Sequence, residues 1–283
     1  MKRNLLLILL SLSILTIEAQ EDIEQSSKKS FFKKVSRKGN LYVYWGWNRE
    51  QYTTSNIKFT GTGYDFTLSD VKAYDRQSPY STKLYFSPST ATIPQYQYRF
   101  GYYINDHYNI SWGFNHMKYV MTSDQSVAIN GSINTGGDYD GEYHGEKIPM
   151  DPDFLSLEHT DGLNYLSLNF DRIDAFWVSK NEKFNLNLVE GLGAGIMFPK
   201  SNVELMGEHR DEWHVAGYGI SAHVALRLDV FKYFFIQGQL EGGFINMPDI
   251  ITTGIDGARA SQNFFYFEQM FMFGGYIPLI KQK

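Results

Sequence analysis

Over most of the chain, apolar and polar side chains alternate along the sequence, in one segment after another. In residues 162–171, for example, Leu166 and Leu168 alternate with Ser167 and Asn169. Because successive side chains of an extended chain point to opposite faces, each such segment predicts a β-strand with one apolar and one polar face. Eight segments follow this pattern: 40–48, 95–104, 108–119, 162–171, 184–198, 214–228, 233–244 and 264–273.

Three features favour a transmembrane β-barrel over a soluble β-sandwich, whose strands would also alternate. The predicted strands are about 10 residues or longer, the length that a tilted strand needs to cross a bilayer. Tyr, Trp and Phe crowd the strand ends, as in the aromatic girdles of membrane barrels. The second face of the strands is polar and suits a narrow lumen. We therefore expect an all-β fold, a single transmembrane antiparallel up-and-down β-barrel.

The connections between the predicted strands alternate between short and long, as in barrels with short periplasmic turns and longer outer loops. This parity predicts eight strands with both chain ends in the periplasm. Residues 60–73 lie within the first long connection and also resemble a strand. They would either rise above the membrane as an extension or, with residues 84–86, add two spanning strands, so a barrel of ten strands is the alternative. The expected long outer loops are 49–94, 121–160, 199–212 and 246–263.

The N-terminal residues have the three-part pattern of a secretory signal peptide. A basic start at residues 1–4 precedes an apolar run at residues 5–15, and Ala19 offers a small residue for cleavage. We therefore expect a signal peptide at 1–19, a flexible or loosely docked lead-in at 20–39, and the barrel at 40–283. Export and a barrel together predict the outer membrane of a Gram-negative bacterium.

Composition narrows the classes of function. The chain has 283 residues, a formal net charge of -5 and no Cys, which excludes disulfides, thiolate metal clusters and a Cys nucleophile. The mildly acidic balance offers no broad cationic surface for nucleic acid. The expected partners are outer-membrane lipids, lipopolysaccharide and the outer-membrane assembly machinery. Gly274, Ile277 and Leu279 resemble in part the C-terminal pattern that this machinery reads.

The polar faces of the predicted strands would form a network inside the barrel. A turn at Phe231-Lys232 sets His223 opposite Glu241 and Arg227 opposite Gln237. Charges of both signs would pair there, because an unpaired charge in a wall of low dielectric constant costs several kcal/mol. Side chains can fill the interior of an eight-stranded barrel, so the network is either a structural plug or a narrow solute path. Its expected members are Arg99, His223, Arg227, Glu241 and Glu268.

The outer rim carries the candidates for chemistry. His116 and Lys118 share the face of Trp112, so they would point toward lipid headgroups and would either bind a lipid phosphate, act on a lipid or only anchor the interface. His159 and Asp161 would share a face just above the membrane. Imidazole and carboxylate groups in an outer loop suit a divalent metal, although an ordinary solvated loop has the same composition. These residues are His209, Asp211 and His214.

Four segments resemble small outer-membrane barrels grouped with outer-membrane protein W, and more narrowly the rhizobial lipid A oxidases and their relatives. They are FTLSDVKAYDR (66–76), WGFNHMK (112–118), HTDGLNYLSLN (159–169) and EGLGAGIMFP (190–199). The resemblance implies oxidation of the proximal glucosamine of lipid A by O₂ at the outer leaflet, with a divalent metal as the cofactor to expect. The matched polar residues at the rim would be His116, Lys118, His159, Asp161, Asp70, Asp75 and Arg76.

Three functions therefore remain open at the level of sequence. The first is a structural envelope barrel or a narrow path for small solutes. The second is a lipid A-modifying enzyme at the outer leaflet. The third is adhesion or partner binding through the outer loops. The alternation of side chains therefore specifies the fold but not the chemistry.

Overall fold

The computed structural model describes residues 31–87, 89–255 and 257–279. The predicted signal peptide and most of the predicted lead-in lie outside these residues. The described part contains one short helix, α1 (Thr82–Phe86), and fifteen strands. The strands are β1 (Asn40–Tyr52), β2 (Ser55–Gly61), β3 (Tyr64–Val71), β4 (Ala73–Tyr74), β5 (Tyr96–Tyr103), β6 (Tyr108–Met121), β7 (Ser126–Ile133), β8 (Gly141–Pro149), β9 (Leu155–Val178), β10 (Phe184–Met197), β11 (Lys200–Leu205), β12 (Glu208–Trp213), β13 (Gly217–Val230), β14 (Phe234–Ile251) and β15 (Arg259–Pro278).

Eight antiparallel strands close into a ring. The order is β1-β5-β6-β9-β10-β13-β14-β15, and β15 pairs again with β1, with Trp45 opposite Phe273. Each of the eight segments that alternate in the sequence falls on one of these strands. The prediction of an all-β antiparallel fold is confirmed. No helix in the described part of the chain has the length and apolar content needed to cross a membrane.

Burial along the ring strands follows the alternation of the sequence. On β1, Tyr42 and Tyr44 are buried inside the ring, whereas Val43 and Trp45 lie on its outer face. The outer face is apolar and accessible, since Leu168 and Leu192 are 65% and 66% exposed. Because a strand turns alternate residues to opposite sides, one set fills the interior and the other forms an apolar belt around the ring.

A second body of β-structure continues the sheet beyond one end of the ring, and we call it the extension. It consists of β2, β3, β7, β8, β11 and β12 with the adjoining ends of β6, β9, β14 and β15. Its interior is an apolar core that includes Phe59, Phe66, Ile129, Leu157 and Ile245. The opposite end of the ring carries the tight turns at residues 104–107, 179–183 and 231–233, and we call it the short-turn end.

The four segments predicted as long outer loops all contain strands. Residues 49–94 contain β2, β3, β4 and α1, and residues 121–160 contain β7, β8 and the start of β9. Residues 199–212 form most of the β11–β12 hairpin, and residues 246–263 include the ends of β14 and β15. The short apolar alternations in these segments bury side chains in the core of the extension rather than in the belt.

The two segments behind the ten-strand alternative do not enter the ring. Residues 60–73 lie mainly in the β2–β3 hairpin, which pairs with the end of β15 and with β7 in the extension. Residues 84–86 belong to α1. The described end of the predicted lead-in is docked, since Lys33 bridges to Ala175 and Arg37 is 3% exposed.

Candidate functional site

Four ionisable side chains from four strands meet in the interior of the ring. His223 Nε2 lies 3.0 Å from Asp171 Oδ1, and His223 Nδ1 lies 3.6 Å from Glu241 Oε2. The Arg99 guanidinium lies 3.8 Å from Asp171 and 3.9 Å from Glu241, and over the ring of Tyr44. We call these four residues the Arg99 cluster. Each is buried, and the Arg99 guanidinium lies within 4 Å of both carboxylates.

The strand register explains why this cluster forms. On β13 and β14, His223 lies opposite Glu241 and Arg227 opposite Gln237, as the turn at Phe231-Lys232 predicts. On β9, β10 and β13, Gly191 lies between Asp171 and His223. A Cβ atom on Gly191 would clash with both side chains. The absence of a side chain at Gly191 therefore leaves space for the contact between Asp171 and His223.

A second interior group lies toward the short-turn end, around Arg227. Its Nε donates to Gln237 Oε1 at 2.5 Å and its Nη1 donates to the hydroxyl of Tyr103 at 2.7 Å. The guanidinium also lies 4.2 Å from the ring centre of Phe235. Arg227 is 1% exposed, so its side chain is enclosed by these neighbours.

The docked residue Arg37 covers the short-turn end of the interior. Its guanidinium donates to Asn187 Oδ1 and lies 3.6 Å from Asp229 Oδ2. The hydroxyl of Tyr276 donates to the other oxygen of Asp229 at 2.6 Å. Sequence reasoning missed Arg37 because nothing in the polar lead-in distinguishes it. Asp171 was on a predicted polar face, but alternation alone did not single it out as a partner of Arg99.

Glu268 lies at the other end of the interior, below the extension. Its two carboxylate oxygens accept hydrogen bonds from Asn48 Nδ2 at 2.8 Å and Asn115 Nδ2 at 2.9 Å. Its side chain is fully buried. All five residues expected in the lumen thus lie inside the ring. Glu268 lies opposite Glu241 of the Arg99 cluster in the pairing of β14 with β15, and Arg227 lies toward the short-turn end.

His116 and Lys118 lie on the outer face, as their alternation with the interior residues of β6 predicts, but they do not face lipid headgroups freely. The His116 ring stacks on Tyr96 with ring centres 4.9 Å apart, and its Nδ1 lies 2.9 Å from Asn164 Oδ1. Lys118 Nζ donates to the carbonyl of Ile93 at 2.9 Å. The expectation is corrected because His116 is only 9% exposed.

His159 and Asp161 do not share a face. The register between β6 and β9 shifts between Met117 and Tyr119, and Gly162 has a φ of +133°, so an irregularity separates the two residues. His159 points into the apolar core of the extension, beside the ring of Tyr119, and burial lowers its pKa to about 4. Asp161 lies outside, where it binds Lys200 at 2.8 Å.

The three matched residues of the segment 66–76 have structural partners. Asp70 is exposed with a φ of +56°, and its N–H donates to Asn56 Oδ1 at 3.0 Å. Asp75 accepts a hydrogen bond from the backbone N–H of Glu50 at 3.2 Å. Arg76 forms an ion pair with Glu158 at 3.0 Å. Each of the three residues has a different partner, and the three side chains do not form one site.

The three candidate metal ligands in the β11–β12 region each have a separate partner. His209 Nε2 lies 2.9 Å from Asn202 Oδ1, and Asp211 binds Lys200 at 2.8 Å. The pKa of Lys200 is raised because Asp161 and Asp211 both accept its hydrogen bonds. His214 lies 2.8 Å from Asp249, and this hydrogen bond lowers the pKa of that carboxyl group. In the described residues, no three His, Asp or Glu side chains converge as in a preformed metal centre.

No family model matches the chain, and no curated protein matches its sequence. Solved structures of outer-membrane β-barrel proteins are similar to it. The attachment invasion locus protein Ail of Yersinia pestis is 10% identical with a TM-score of 0.33, over 85% of this chain and 99% of that one. OprG from Pseudomonas aeruginosa is 10% identical with a TM-score of 0.34, over 88% and 99% of the two chains. AlkL, solved in lipid bilayers, is 10% identical with a TM-score of 0.35, over 92% and 99%. Values this low assign neither a family nor a function.

Proposed function

We propose that this chain is an integral outer-membrane protein in which a sealed eight-stranded barrel anchors the extension at the cell surface. In this proposal the protein is a structural envelope component and does not conduct solutes. The observation that carries it is the opposite placement of apolar side chains in the two regions. They lie outside in the ring and inside in the extension.

The outer face of the ring supports the membrane location. Large apolar side chains stand exposed on neighbouring strands, among them Phe170, Leu192, Leu226, Phe234 and Phe265. A soluble monomer rarely exposes a continuous apolar surface of this extent, whereas hydrocarbon would cover it. The polar exterior and apolar core of the extension are those of a domain in water.

The interior of the ring supports a sealed barrel. Arg99, Arg227, Glu241 and Glu268 are each at most 2% exposed and are held by partners from other strands. An eight-stranded barrel has an interior that side chains can fill, so ion pairs and hydrogen bonds would have to break before solute could pass. We therefore favour the structural plug over the narrow solute path.

Planar-bilayer recording and heat-dependent mobility on denaturing gels test this proposal together. The refolded protein should migrate differently before and after boiling, which reports an intact barrel, and should give no discrete openings. The double variant Arg99→Ala/Arg227→Ala, if it retains the mobility shift, should admit current because two large interior side chains are gone. Discrete openings of the unmodified protein would overturn the sealed barrel.

Lipid A modification is the alternative that we do not favour, because the four candidate residues lie in different surroundings. His159 lies in the core of the extension, Asp161 is bound to Lys200, and Lys118 is bound to the carbonyl of Ile93. Mass spectrometry of lipid A from cells with and without the protein distinguishes the two functions. A changed lipid A that reverts with His116→Ala, while barrel assembly persists, would replace our proposal with the enzyme.

A further inference from the structure

A layer of buried oxygen atoms separates the Arg99 cluster from the apolar core of the extension. It is contributed by neighbouring strands of the ring, since β15, β1, β5 and β6 are adjacent. Glu268 lies opposite Glu50, and Gln97 lies opposite Asn115. Asp75, which follows β4 and is only half-buried, contacts the layer through Glu50. We call this set the acceptor layer; its members are Asn48, Glu50, Asp75, Gln95, Gln97, Asn115 and Glu268.

Several oxygens of the acceptor layer accept no hydrogen bond within the described structure. Both carboxylate oxygens of Glu50 are unpaired, and so are Asn48 Oδ1, Gln95 Oε1 and Gln97 Oε1. Glu50 is 4% exposed, while Gln95 and Gln97 are fully buried. Leaving a buried carboxylate without a partner costs several kcal/mol. These atoms therefore require a positive charge or a proton that the neighbouring side chains do not supply.

Most amide donors of the layer already serve other oxygens. The amide nitrogens of Asn48 and Asn115 donate to Glu268, and the amide nitrogen of Gln95 donates to Asp75. The contact between Gln95 and Asp75 also places the unpaired oxygen of this fully buried amide next to the acidic group. The amide nitrogen of Gln97 is the one unpaired side-chain donor of the layer, against five unpaired oxygens, so acceptors are in excess.

Basic side chains near the layer are engaged elsewhere. Arg99 pairs with Asp171 and Glu241. Arg49 lies on the outer face, where its Nη2 donates to the hydroxyl of Tyr85 at 2.7 Å. Lys118, also on the outer face, donates to the carbonyl of Ile93. Three carboxylates, Glu50, Asp75 and Glu268, therefore share the layer with no cationic side chain of their own.

We propose that the acceptor layer binds a hard cation of the Ca²⁺ class, with Glu50 and Asp75 as the charged ligands and amide oxygens of the layer as neutral ones. Ca²⁺ is held by six to eight oxygens, and carboxylates, amide carbonyls and water all serve. The two carboxylates would supply the charge, and amides and water would complete the coordination, as this flexible ion permits. The cation would join the segment after β4 to β1 and so tie the extension to the ring.

The test uses the full chain refolded from inclusion bodies in detergent micelles free of lipopolysaccharide, which itself binds Ca²⁺. Refolding proceeds in Ca²⁺ or in EDTA, because the site is buried and loads during folding. After gel filtration, bound Ca²⁺ is measured by mass spectrometry of the elements and stability by guanidinium unfolding. We expect retained Ca²⁺ and a higher unfolding midpoint in the Ca²⁺ sample, since a ligand stabilises the state that binds it.

The variant Glu50→Gln removes one charged ligand and keeps the side-chain size. It should lose the retained Ca²⁺ and the difference in midpoint between Ca²⁺ and EDTA. The control Glu182→Gln removes an exposed carboxylate at the short-turn end and should keep both. If Glu50→Gln does not refold, Asp75→Asn takes its place.

Two results would overturn the cation site. The first is equal stability of the unmodified protein in Ca²⁺ and EDTA with no retained metal, which would mean that Glu50 is held by a proton or by water. The second is retention of Ca²⁺ by Glu50→Gln at the level of the control. Neither result depends on conductance or lipid A, so the cation site and the proposed function fail separately.

Discussion

The ring and the extension are made from the same strands but place their apolar side chains on opposite sides. On β9, residues 155, 157, 163 and 165 and residues 167, 169 and 171 all point inward. The first group is Leu, Leu, Leu and Tyr and belongs to the core of the extension, whereas the second is Ser, Asn and Asp in the ring. On both sides of the irregularity at Gly162 these buried side chains have odd numbers, and the chemistry of the interior changes.

This difference shows that alternation alone specifies a strand and its two faces, but not which face is inside. That choice depends on the medium around each region. Hydrocarbon would favour an apolar exterior and a hydrogen-bonded interior, while water favours a polar exterior and an apolar interior. The acceptor layer lies where one arrangement gives way to the other.

The largest effect is expected from removing a core side chain of the extension. Phe66 is 1% exposed, and its ring stacks on Phe59 with centres 5.2 Å apart. Phe66→Ala should destabilise the extension by about 3–5 kcal/mol, because it removes buried area and leaves a cavity. Limited proteolysis should then cut within the extension, while the heat-dependent mobility of the ring persists.

The matched control for this change is Phe265→Ala, at a position on the outer face of the ring that is 61% exposed. It should leave the extension resistant to protease, because Phe265 contributes nothing to that core. If Phe66→Ala instead abolishes the mobility shift, the two regions fold as one unit and the contrast drawn between them is wrong.

The second largest effect is expected from a charge on the apolar belt. Leu192→Arg places a cation on the outer face of β10 and should cost about 2–4 kcal/mol near the middle of a bilayer. Asn130→Arg places the same charge on an exposed position of β7 in the extension and should change stability by less than about 0.5 kcal/mol. Unfolding in lipid vesicles measures both, and equal effects would argue against a lipid-facing belt.

Sequence alone anticipated the ring far better than the extension or the rim. The pairing of His223 with Glu241 follows from one tight turn and a period of two, so it needs no tertiary information. The docking of Arg37 requires the three-dimensional position of Asp229, which lies about two hundred residues along the chain. The faces of His159 and Asp161 depend on one irregularity at Gly162 that alternation does not reveal. The short strands of the extension bury an apolar face in a local core. Their sequences are interpreted as loops because the prediction relies on the longer alternating segments of the ring.

The pH dependence of stability should differ between the two regions through His159. Its pKa is about 4 in the folded protein, below the ordinary value of 6.5, because it is buried in the extension. The unfolded chain therefore binds the proton more tightly, and stability is complete above about pH 6.5 and declines as the pH falls toward 4. The loss over this window should be about 3 kcal/mol. His159→Phe should flatten the decline in unfolding experiments between pH 4 and 6.5, and an unchanged slope would assign it to other groups.

The smallest effect is expected from adding one methyl group to the interior of the ring. Gly191→Ala would push its Cβ against Asp171 and His223, so the ion pair must separate or the strand must shift. Overpacking of this kind costs about 1–3 kcal/mol. Gly238→Ala is the matched control, at a position on the outer face of the ring, because a Cβ there meets no atom within 4 Å. Guanidinium unfolding should separate the two variants. Equal midpoints would mean that the interior of the ring has space for a methyl group. The proposal of a sealed barrel would then lose its support, because side chains that move aside for a methyl group would also move aside for a solute.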